Sequence, residues 1–536
     1  VALDISTVGS PGWWMNRLAM KLQRENRRYA VLDAYANGRP PLAWGSTDVQ
    51  KQFYRFQKMS KTTFADVIVE APCMRLGLRS VTTGANSDAT GDDVAWNLLN
   101  ANGIPALFAD GARMSKRFGV SYLATAMPDV EGGNAIITIE DPRQMTVETH
   151  AFRPTEPIAA FKLYYDAASQ LDIAILWLPG EKWVATRPRQ MTMGRQYRSG
   201  TGHLLGRPEP VPVKFAASSF DLAPMRDPQS ESSAEAANEP IPGGLFSERY
   251  DDQEIPVDVL GNRDGVGEFE LHTDLLDRIN HIILQRVVIA TLQAFRQRAL
   301  KQSAQPGVNP LPEFDRDGKR IDYSDILESG PDAVWLLPPG ADLWESAQTE
   351  LTGILEAVKA DVLHLSAVTF TPMSMFTPDA ATQTAEGAQL SREGLVFKVE
   401  DFQRRSQLPL ARTIARAFRY MGDEERGDAS RIAVQWMPAD RPSLAEMGSA
   451  ASQVMGTLTW EQTQEIVWQQ TPAQIAVAKA QRAQDMVLQQ QQAALEAAQK
   501  AAAAPTQPQE PPNAPSGSPS ARPQPPGRGA PRGDAG

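Results

Sequence analysis

Apolar positions at Leu18, Leu22, Tyr29 and Leu32, with basic residues between them, predict a helix over residues 13–35. The cluster Asn37-Gly38-Arg39-Pro40-Pro41 stops it. Helical spacing returns over 64–76, where Pro72 breaks or kinks the run, and residues 75–81 already lean toward strand. A polar loop at 84–93, a short helix at 94–102 and an amphipathic helix at 106–118, ended by Gly119, follow. From Val120 the period drops to two. Residues 120–126, 135–139, 158–165, 172–178 and 183–186 are rich in β-branched and aromatic side chains and separated by Gly, Pro and Asp, so they predict strands of a mainly antiparallel sheet. The fold class expected is α+β, with helices ahead of the sheet. Residues 223–244, rich in Pro, Ser, Glu and Ala, read as a mobile surface loop.

The pattern then changes again. Thr273, Asp274 and Asp277 start a helix that runs to about Lys301, with Arg296, Arg298 and Lys301 in its last turn. Such a helix would be roughly 42 Å long. Its middle, residues 282–295, is apolar on most faces and needs neighbours on several sides. Residues 302–340 carry turns, a strand candidate at 333–337 and three Lys/Arg against seven Asp/Glu, which reads as a small module at the tip of a helical hairpin. A second helix starts at Asp342, with Glu345 at capping-box spacing, and packs along Trp344, Ala347, Leu351, Ile354, Val358 and Leu365. Its other faces carry Asp342, Glu345, Glu350, Glu356 and Asp361 against a lone Lys359, so the first helix sums to about +3 and the second to about −4. A loop at 369–382 leads to a third helix from 383 to 407, which Pro409 kinks or restarts before it ends near Met421-Gly422. Residues 431–436 suit a strand and 443–457, 460–470 and 472–499 suit helices. The last stretch, 505–536, holds ten Pro and five Gly and is expected to be disordered.

At 536 residues the chain exceeds one core, and two to four structural units are expected. A single cysteine, Cys73, excludes an internal disulfide framework and a thiolate zinc site, and fits a reducing compartment. The opening Val-Ala-Leu-Asp-Ile-Ser has neither the basic nor the apolar region of a secretory leader. Apolar runs stop well short of the roughly 20 residues that span a bilayer. A soluble protein made inside the cell is therefore expected. The net charge of −11 argues against a tight, static grip on DNA, which needs Lys and Arg against phosphate. It does not argue against a surface that DNA slides past.

Signatures of chemistry are sparse. There is no Gly-x-x-x-x-Gly-Lys-Ser/Thr and no Gly-x-Ser-x-Gly. The glycines at 261–267 read as a turn rather than a phosphate cradle. His150, His203, His272, His281 and His364 have no ligand spacing, and Cys73 beside Pro72 reads as a buried small hydrophobe. A two-metal nuclease could be assembled from scattered carboxylates, yet no compact acidic motif points to one. No catalytic, cofactor-binding or metal-ligating residue is nominated, and the chain is not expected to be an enzyme.

Three runs carry a resemblance. They are DGVGEFELHTDLLDRIN at 264–280, TFTPMSMFTPDAATQTAEGA at 369–388 and GLVFKVEDFQ at 394–403. In this combination and order they resemble the portal proteins of tailed double-stranded DNA bacteriophages, in particular the siphophage type of actinobacteriophages. The resemblance covers about residues 13–500. It implies a portal fold with an α/β wing (13–273), stem helix 1 (274–301), a small α/β clip (302–340), stem helix 2 (341–366), a tunnel loop (367–383), a long helix returning to the wing (384–436), a helical crown (437–504) and a disordered tail (505–536). It implies a virion protein, assembled in the host cytoplasm as a dodecameric ring at one capsid vertex. That ring would be the head–tail connector through which the genome is packaged and ejected. Implied partners are the terminase large subunit, a head-completion (adaptor) protein, major capsid and scaffold proteins, and double-stranded DNA in transit without sequence specificity. Neither cofactor nor membrane is implied. In the tunnel loop, Thr371, Pro372, Met373, Met375 and Phe376 become candidates for meeting DNA. Glu345, Glu350, Glu356, Lys359 and Asp361 become candidates for lining the channel, with the acidic helix toward the lumen. Asp315, Arg316, Asp317, Lys319 and Arg320 become candidates for adaptor or terminase contact. Twelve chains would carry roughly −132, which suits a passage that DNA should not stick to. Another capsid-assembly or scaffold component and a metal-dependent nuclease remain the alternatives.

Overall fold

A computed structural model describes residues 3–41, 54–86, 91–130, 132–189, short stretches between 191 and 249, and residues 253–294, 298–301, 314, 317–320, 342–345, 350–377, 385–440, 444–470 and 472–502. Mixed helix and sheet make it α+β, as the two periods in the sequence predict. Helix α1 (Pro11–Ala36) starts where Ser10 accepts a hydrogen bond from Trp13 N and Pro11 takes a position that needs no donor. Helix α2 (Phe64–Cys73) holds Pro72 in its last turn. Strand β1 (Leu78–Thr82) precedes α3 (Asp93–Ala101), capped by Asp92, and α4 (Ile104–Phe118). Gly119 ends α4 at φ 92°, and a Cβ there would lie 2.2 Å from Gly265 O, so both backbone and space demand glycine.

Strands β2 (Val120–Ala126) and β3 (Ile136–Glu140) pair antiparallel. Strands β4 (Met145–His150), β5 (Arg153–Asp166), β6 (Leu171–Leu178) and β7 (Glu181–Pro188) are successive antiparallel neighbours. Strand β8 (Val257–Gly261) returns to the free side of β2. Neither β4 nor the first half of β5 is legible in the spacing. Pro154 and Pro157 interrupt that half, and the pairing tolerates them only through register slips around Thr149. Met15, Leu18 and Leu22 of α1 share a core with Phe161, Leu176 and Ala185 of the larger sheet.

The helical hairpin differs from expectation at its far end. Helix α5 spans Thr273–Ala294, and Arg298–Lys301 is not its last turn but strand β9, paired antiparallel with β10 (Asp342–Glu345). The register sets Arg298 opposite Glu345 and Lys301 opposite Asp342, oppositely charged positions that favour pairing. The capping-box spacing at Asp342 is a local signal, and the ladder overrides it. The second helix, α6, accordingly begins at Thr352 and ends at Thr369. This shortening removes most of the charge contrast. Helix α5 keeps Asp274 and Asp277 against Arg278 and Arg286, and α6 keeps Glu356 and Asp361 against Lys359.

After the short α7 (Met373–Phe376), helix α8 (Ala385–Tyr420) runs through Pro409 without stopping. Leu395, Val399, Phe402, Leu410, Ile414 and Phe418 of α8 are buried. These side chains hold it in one core with α3, α4 and strands of both smaller sheets. Strand β11 (Ala433–Trp436) then pairs with β1, and α9 (Leu444–Gln453) and α10 (Pro472–Ala502) follow. The chain divides into two compact units, Val1–Ala473 and Gln474–Gly536. The described part of the second is helix, exposed along almost all of its length. Among the described residues no helix is long and apolar enough to cross a membrane. The surface loop expected at 223–244, the strand expected at 333–337 and the tail at 505–536 lie outside the described residues, apart from the two-residue strand Met225–Arg226.

One buried pair fastens α8 to the sheet. Arg416 donates to Asp258 of β8 at 2.8 Å, both side chains are 2% exposed, and Thr413 Oγ1 donates to the same carboxylate at 3.1 Å. Removing one partner strands a buried charge, which costs roughly 3–5 kcal/mol. Asp258→Ala should lower the unfolding free energy measured by denaturant titration by that amount, whereas Arg404→Ala, on the exposed face of the same helix, should move it by less than about 0.5 kcal/mol.

Candidate functional site

The glycine-bearing loop after β8 is clamped onto the last turn of α4. Asn262 N donates to Gly119 O at 2.9 Å and Glu268 N to Lys116 O at 2.8 Å, satisfying helix-end carbonyls that would otherwise lack partners. A Cβ on Gly267 would lie 2.3 Å from Arg117 O, so the loop approaches this closely only with glycine there. These glycines form a turn, as their spacing predicts. The polar residues that follow are spent on internal ties. Arg28 of α1 grips both Glu270 oxygens at 2.5 Å, Tyr35 donates to Asp277 at 2.8 Å, and Asn280 accepts from Thr62 N and Oγ1 at 3.0 and 2.9 Å.

Clamping the loop sets Glu268 between two lysines. Lys116 of α4 and Lys398 of α8 each reach it at 2.7 Å, and the three side chains are 3%, 14% and 10% exposed for Lys116, Lys398 and Glu268. Lys116 also donates to Asn262 Oδ1 at 3.0 Å and lies 4.7 Å from the Phe402 ring centroid. Lys398 also donates to Thr369 O, the end of α6, at 2.6 Å. The node thus takes Glu268 from the run at 264–280, Thr369 from the run at 369–388 and Lys398 from the run at 394–403. Burial pushes the Glu268 carboxyl up, but the two ammonium groups outweigh it and hold the group down at about 2. Burial pushes Lys398 below the usual lysine range despite Glu268. Sharing the carboxylate with Lys116 leaves that desolvation only partly offset. His272, half-buried beside the node, is lowered by burial and then by Lys398 and His364.

Above the node opens a cleft of about 660 Å³, its lips formed by Leu271, His272, Phe370, Phe397, Asp401 and Arg404. Leu271, Phe370 and Phe397 are 75%, 58% and 58% exposed, an unusual gathering of large apolar side chains at one opening. Cys73 is buried in the neighbouring core, where burial pushes its thiol up to about 12. Among the described residues no group of three or more His, Cys, Asp or Glu is placed to hold a metal ion.

The tunnel-loop candidates do not project as a group. Thr371 and Pro372 are buried, and Met373 and Phe376 pack into the core of α1, α2, α5 and α6, Phe376 edge-on to Phe64 at 5.4 Å. A helical turn over 373–376 puts these two on its inner side, which leaves Met375 as the exposed member. Residues 378–384 lie outside the described residues. Of the stem candidates, Glu345 is on β10 rather than a helix, Glu350 is exposed ahead of α6, and Glu356 and Lys359 are exposed on α6. Asp361 is instead bound at both oxygens by Arg278 of α5, at 2.6 and 3.0 Å. Asp317, Lys319 and Arg320 are exposed in a turn closed by the Phe314–Arg320 bridge, and Asp315 and Arg316 lie outside the described residues. The residues that sequence reasoning missed are Lys116, Glu268 and Lys398. A signal existed, since Lys398 interrupts an apolar face otherwise made of Leu395, Val399 and Phe402.

No family model and no curated protein matches the chain. Among solved structures it is similar to the neck of a native GTA particle computed with C12 symmetry, at 12% identity and TM-score 0.37, over 80% of this chain and 95% of that one. It is also similar to the neck of an empty GTA particle computed with C6 symmetry, at 13% identity and TM-score 0.37, over 82% of this chain and 98% of that one.

The node has a pH signature. Glu268 sits at about 2 against an ordinary 4.5, so its stabilisation is complete above 4.5 and lost as pH falls toward about 2. His272 is held below 6.5, so stability is also lost as pH drops beneath that value and the imidazole charges. Melting temperature measured against pH should therefore fall in both windows. Glu268→Gln should flatten the lower one and His272→Asn the upper one, and unchanged profiles would refute the assignments.

Proposed function

We propose that this chain is a portal protein of a tailed double-stranded DNA phage or phage-like particle. In this reading twelve copies form a ring at one capsid vertex. The ring passes DNA inward during packaging and outward during ejection, docks the terminase and then the head-completion protein, and carries out no chemistry of its own. The observation that carries the reading is the convergence at Glu268. Three runs that resemble portal sequences, scattered over residues 264–403, supply the carboxylate, the lysine and the carbonyl of one buried node. Runs that met nowhere would be three weak coincidences.

A second observation supports an assembly of identical chains. In α5, Leu276, Ile279 and Leu284 are buried, but Ile282, Ile283, Val287, Val288 and Ile289 are only half-buried. In α6, Leu355 and Leu363 are 41% and 59% exposed. A helix pair this apolar gains from burial against copies of itself, and a heterologous contact of that kind makes a ring when its rotation closes. The stem then consists of α5 and α6, with the β9–β10 ladder between stem and clip. The wing is the body before Thr273 together with α8 and β11. Glu350 and Glu356 remain free to face a lumen, whereas Asp361 serves to join the two stem helices.

Electron microscopy of the purified full-length chain tests this. Rings with a central hole are expected, and Leu355→Glu with Leu363→Glu should abolish them while leaving the monomer folded, because both positions are exposed in the single chain. Monomers that cleave DNA when a divalent metal is added would overturn the reading in favour of a nuclease. Closed shells or filaments without an axial hole would overturn it in favour of another assembly component.

A further inference from the structure

The node also holds the parts of a covalent reaction. Lys116 Nζ donates to Asn262 Oδ1 at 3.0 Å and to Glu268 Oε1 at 2.7 Å, which sets an amine between a carboxamide and a carboxylate. The side chains of Lys116 and Glu268 are 3% and 10% exposed and Asn262 is 8% exposed, so water has little access to the three. The buried Phe402 ring stands beside the lysine, its centroid 4.7 Å from Nζ. Asn262 Nδ2 donates to Val266 O at 2.7 Å, which turns the amide oxygen toward Lys116 and the amide nitrogen away from it. The amine therefore meets the carboxamide from its carbonyl side.

Backbone ties hold these groups in place. Asn262 N donates to Gly119 O, Glu268 N to Lys116 O, and Ser115 Oγ to Leu260 O at 2.9 Å. The reacting groups belong to two segments already fastened to each other, and such orientation replaces a costly encounter. Charge supplies a drive. Two ammonium groups share one carboxylate, so the node keeps a net positive charge out of water at a cost in free energy. Burial accordingly holds Lys398 below the usual lysine range. The two lysines differ in what else they touch. Lys398 meets Thr369 O, a main-chain carbonyl that could be attacked only by cutting the chain. Lys116 meets a side-chain amide, which can release ammonia.

We propose that Lys116 and Asn262 join in an isopeptide bond, with Glu268 as the catalytic base and acid. Glu268 takes one proton from the Lys116 ammonium. The freed Nζ lone pair attacks Asn262 Cγ, forming the N–C bond while the carbonyl π electrons move onto Oδ1. As the carbonyl re-forms, the Cγ–Nδ2 bond breaks and a second proton passes from Nζ to the departing nitrogen. That nitrogen leaves as ammonia and takes the proton held by Glu268. The products are a secondary amide and an ammonium ion, and no co-reactant is consumed. Glu268 is left ionised and paired with Lys398, and the excess positive charge has gone with the ammonium. The charged node is thus the state before the bond, and the linked chain is stapled between α4 and the loop ahead of α5. The inference rests on the geometry of three side chains and holds whether or not the chain forms a portal.

Intact-mass measurement of the purified full-length chain, held near neutral pH for several days, tests the bond. A loss of one ammonia, about 17 Da, is expected, and proteolysis should yield a branched peptide joining Lys116 to Asn262. Lys116→Arg and Asn262→Ala should keep their full mass, and Glu268→Gln should lose ammonia about a hundredfold more slowly or not at all. An unchanged mass in the parent chain overturns the proposal, and that result needs no variant to fold. So does a loss that yields no branched peptide or that persists in Asn262→Ala, since either places it at another amide.

Discussion

Glu268 is shared by Lys116 and Lys398 in a place where none of the three side chains is more than 14% exposed. Taking three charges out of water costs several kcal/mol per ion before any attraction is counted. The arrangement therefore persists only if its charged groups have partners, and here each ammonium has two acceptors and each Glu268 oxygen a lysine. Asn262 takes the second bond from Lys116, Thr369 O takes that from Lys398, and the loop that carries Glu268 hangs from the end of α4 through Lys116 O. Removing any member leaves a buried charge or an orphaned carbonyl. The node is thus less a source of net stability than a condition on geometry: α4, the loop before α5, the end of α6 and the middle of α8 fit together in one way.

That condition explains why the long hairpin is attached to the body as it is. Helix α5 leaves the loop that Arg28 holds through Glu270, and its own first turns are held by Tyr35 through Asp277 and by Thr62 through Asn280. Helix α6 returns to Lys398, and between the two attachments Arg278 and Asp361 bind the helices to each other. Both ends of the hairpin are fixed by ionic or hydrogen-bonded groups, while its middle offers half-buried aliphatic side chains to whatever lies beside it. A rigid base with an apolar shaft suits assembly of identical chains better than a freely hinged arm would.

Much of the body was legible because its periods are strong. The helices around Leu18 and Phe108 and the strands around Leu123 and Ile175 fall where three-to-four and two-residue spacing put them. The misses have physical reasons. Pro154 and Pro157 hid the first half of β5, because proline in a strand is tolerated only where the pairing bulges. The acidic start at Asp342 and the basic stretch at Arg298 each look like helix ends, and only their pairing across some forty residues turns them into a ladder. Such pairing is not a local property. For the same reason the sequence offers Glu268, Thr369 and Lys398 as members of three separate runs and cannot show that they touch. Met373 and Phe376 look like side chains awaiting a partner until both are seen to pack into the core of α1, α2, α5 and α6, Phe376 edge-on to Phe64.

The central claim is that the three runs form one physical unit, joined through Glu268 and Lys398. A double-mutant cycle on denaturant unfolding of the full-length chain, with Glu268→Gln, Lys398→Met and both together, measures it most directly. Contacting buried charges should give a coupling of about 2 kcal/mol or more, each single change costing more than its share of the double. Effects that add to within about 0.5 kcal/mol would mean that the two residues act independently, and the unit would fall apart into its sequences.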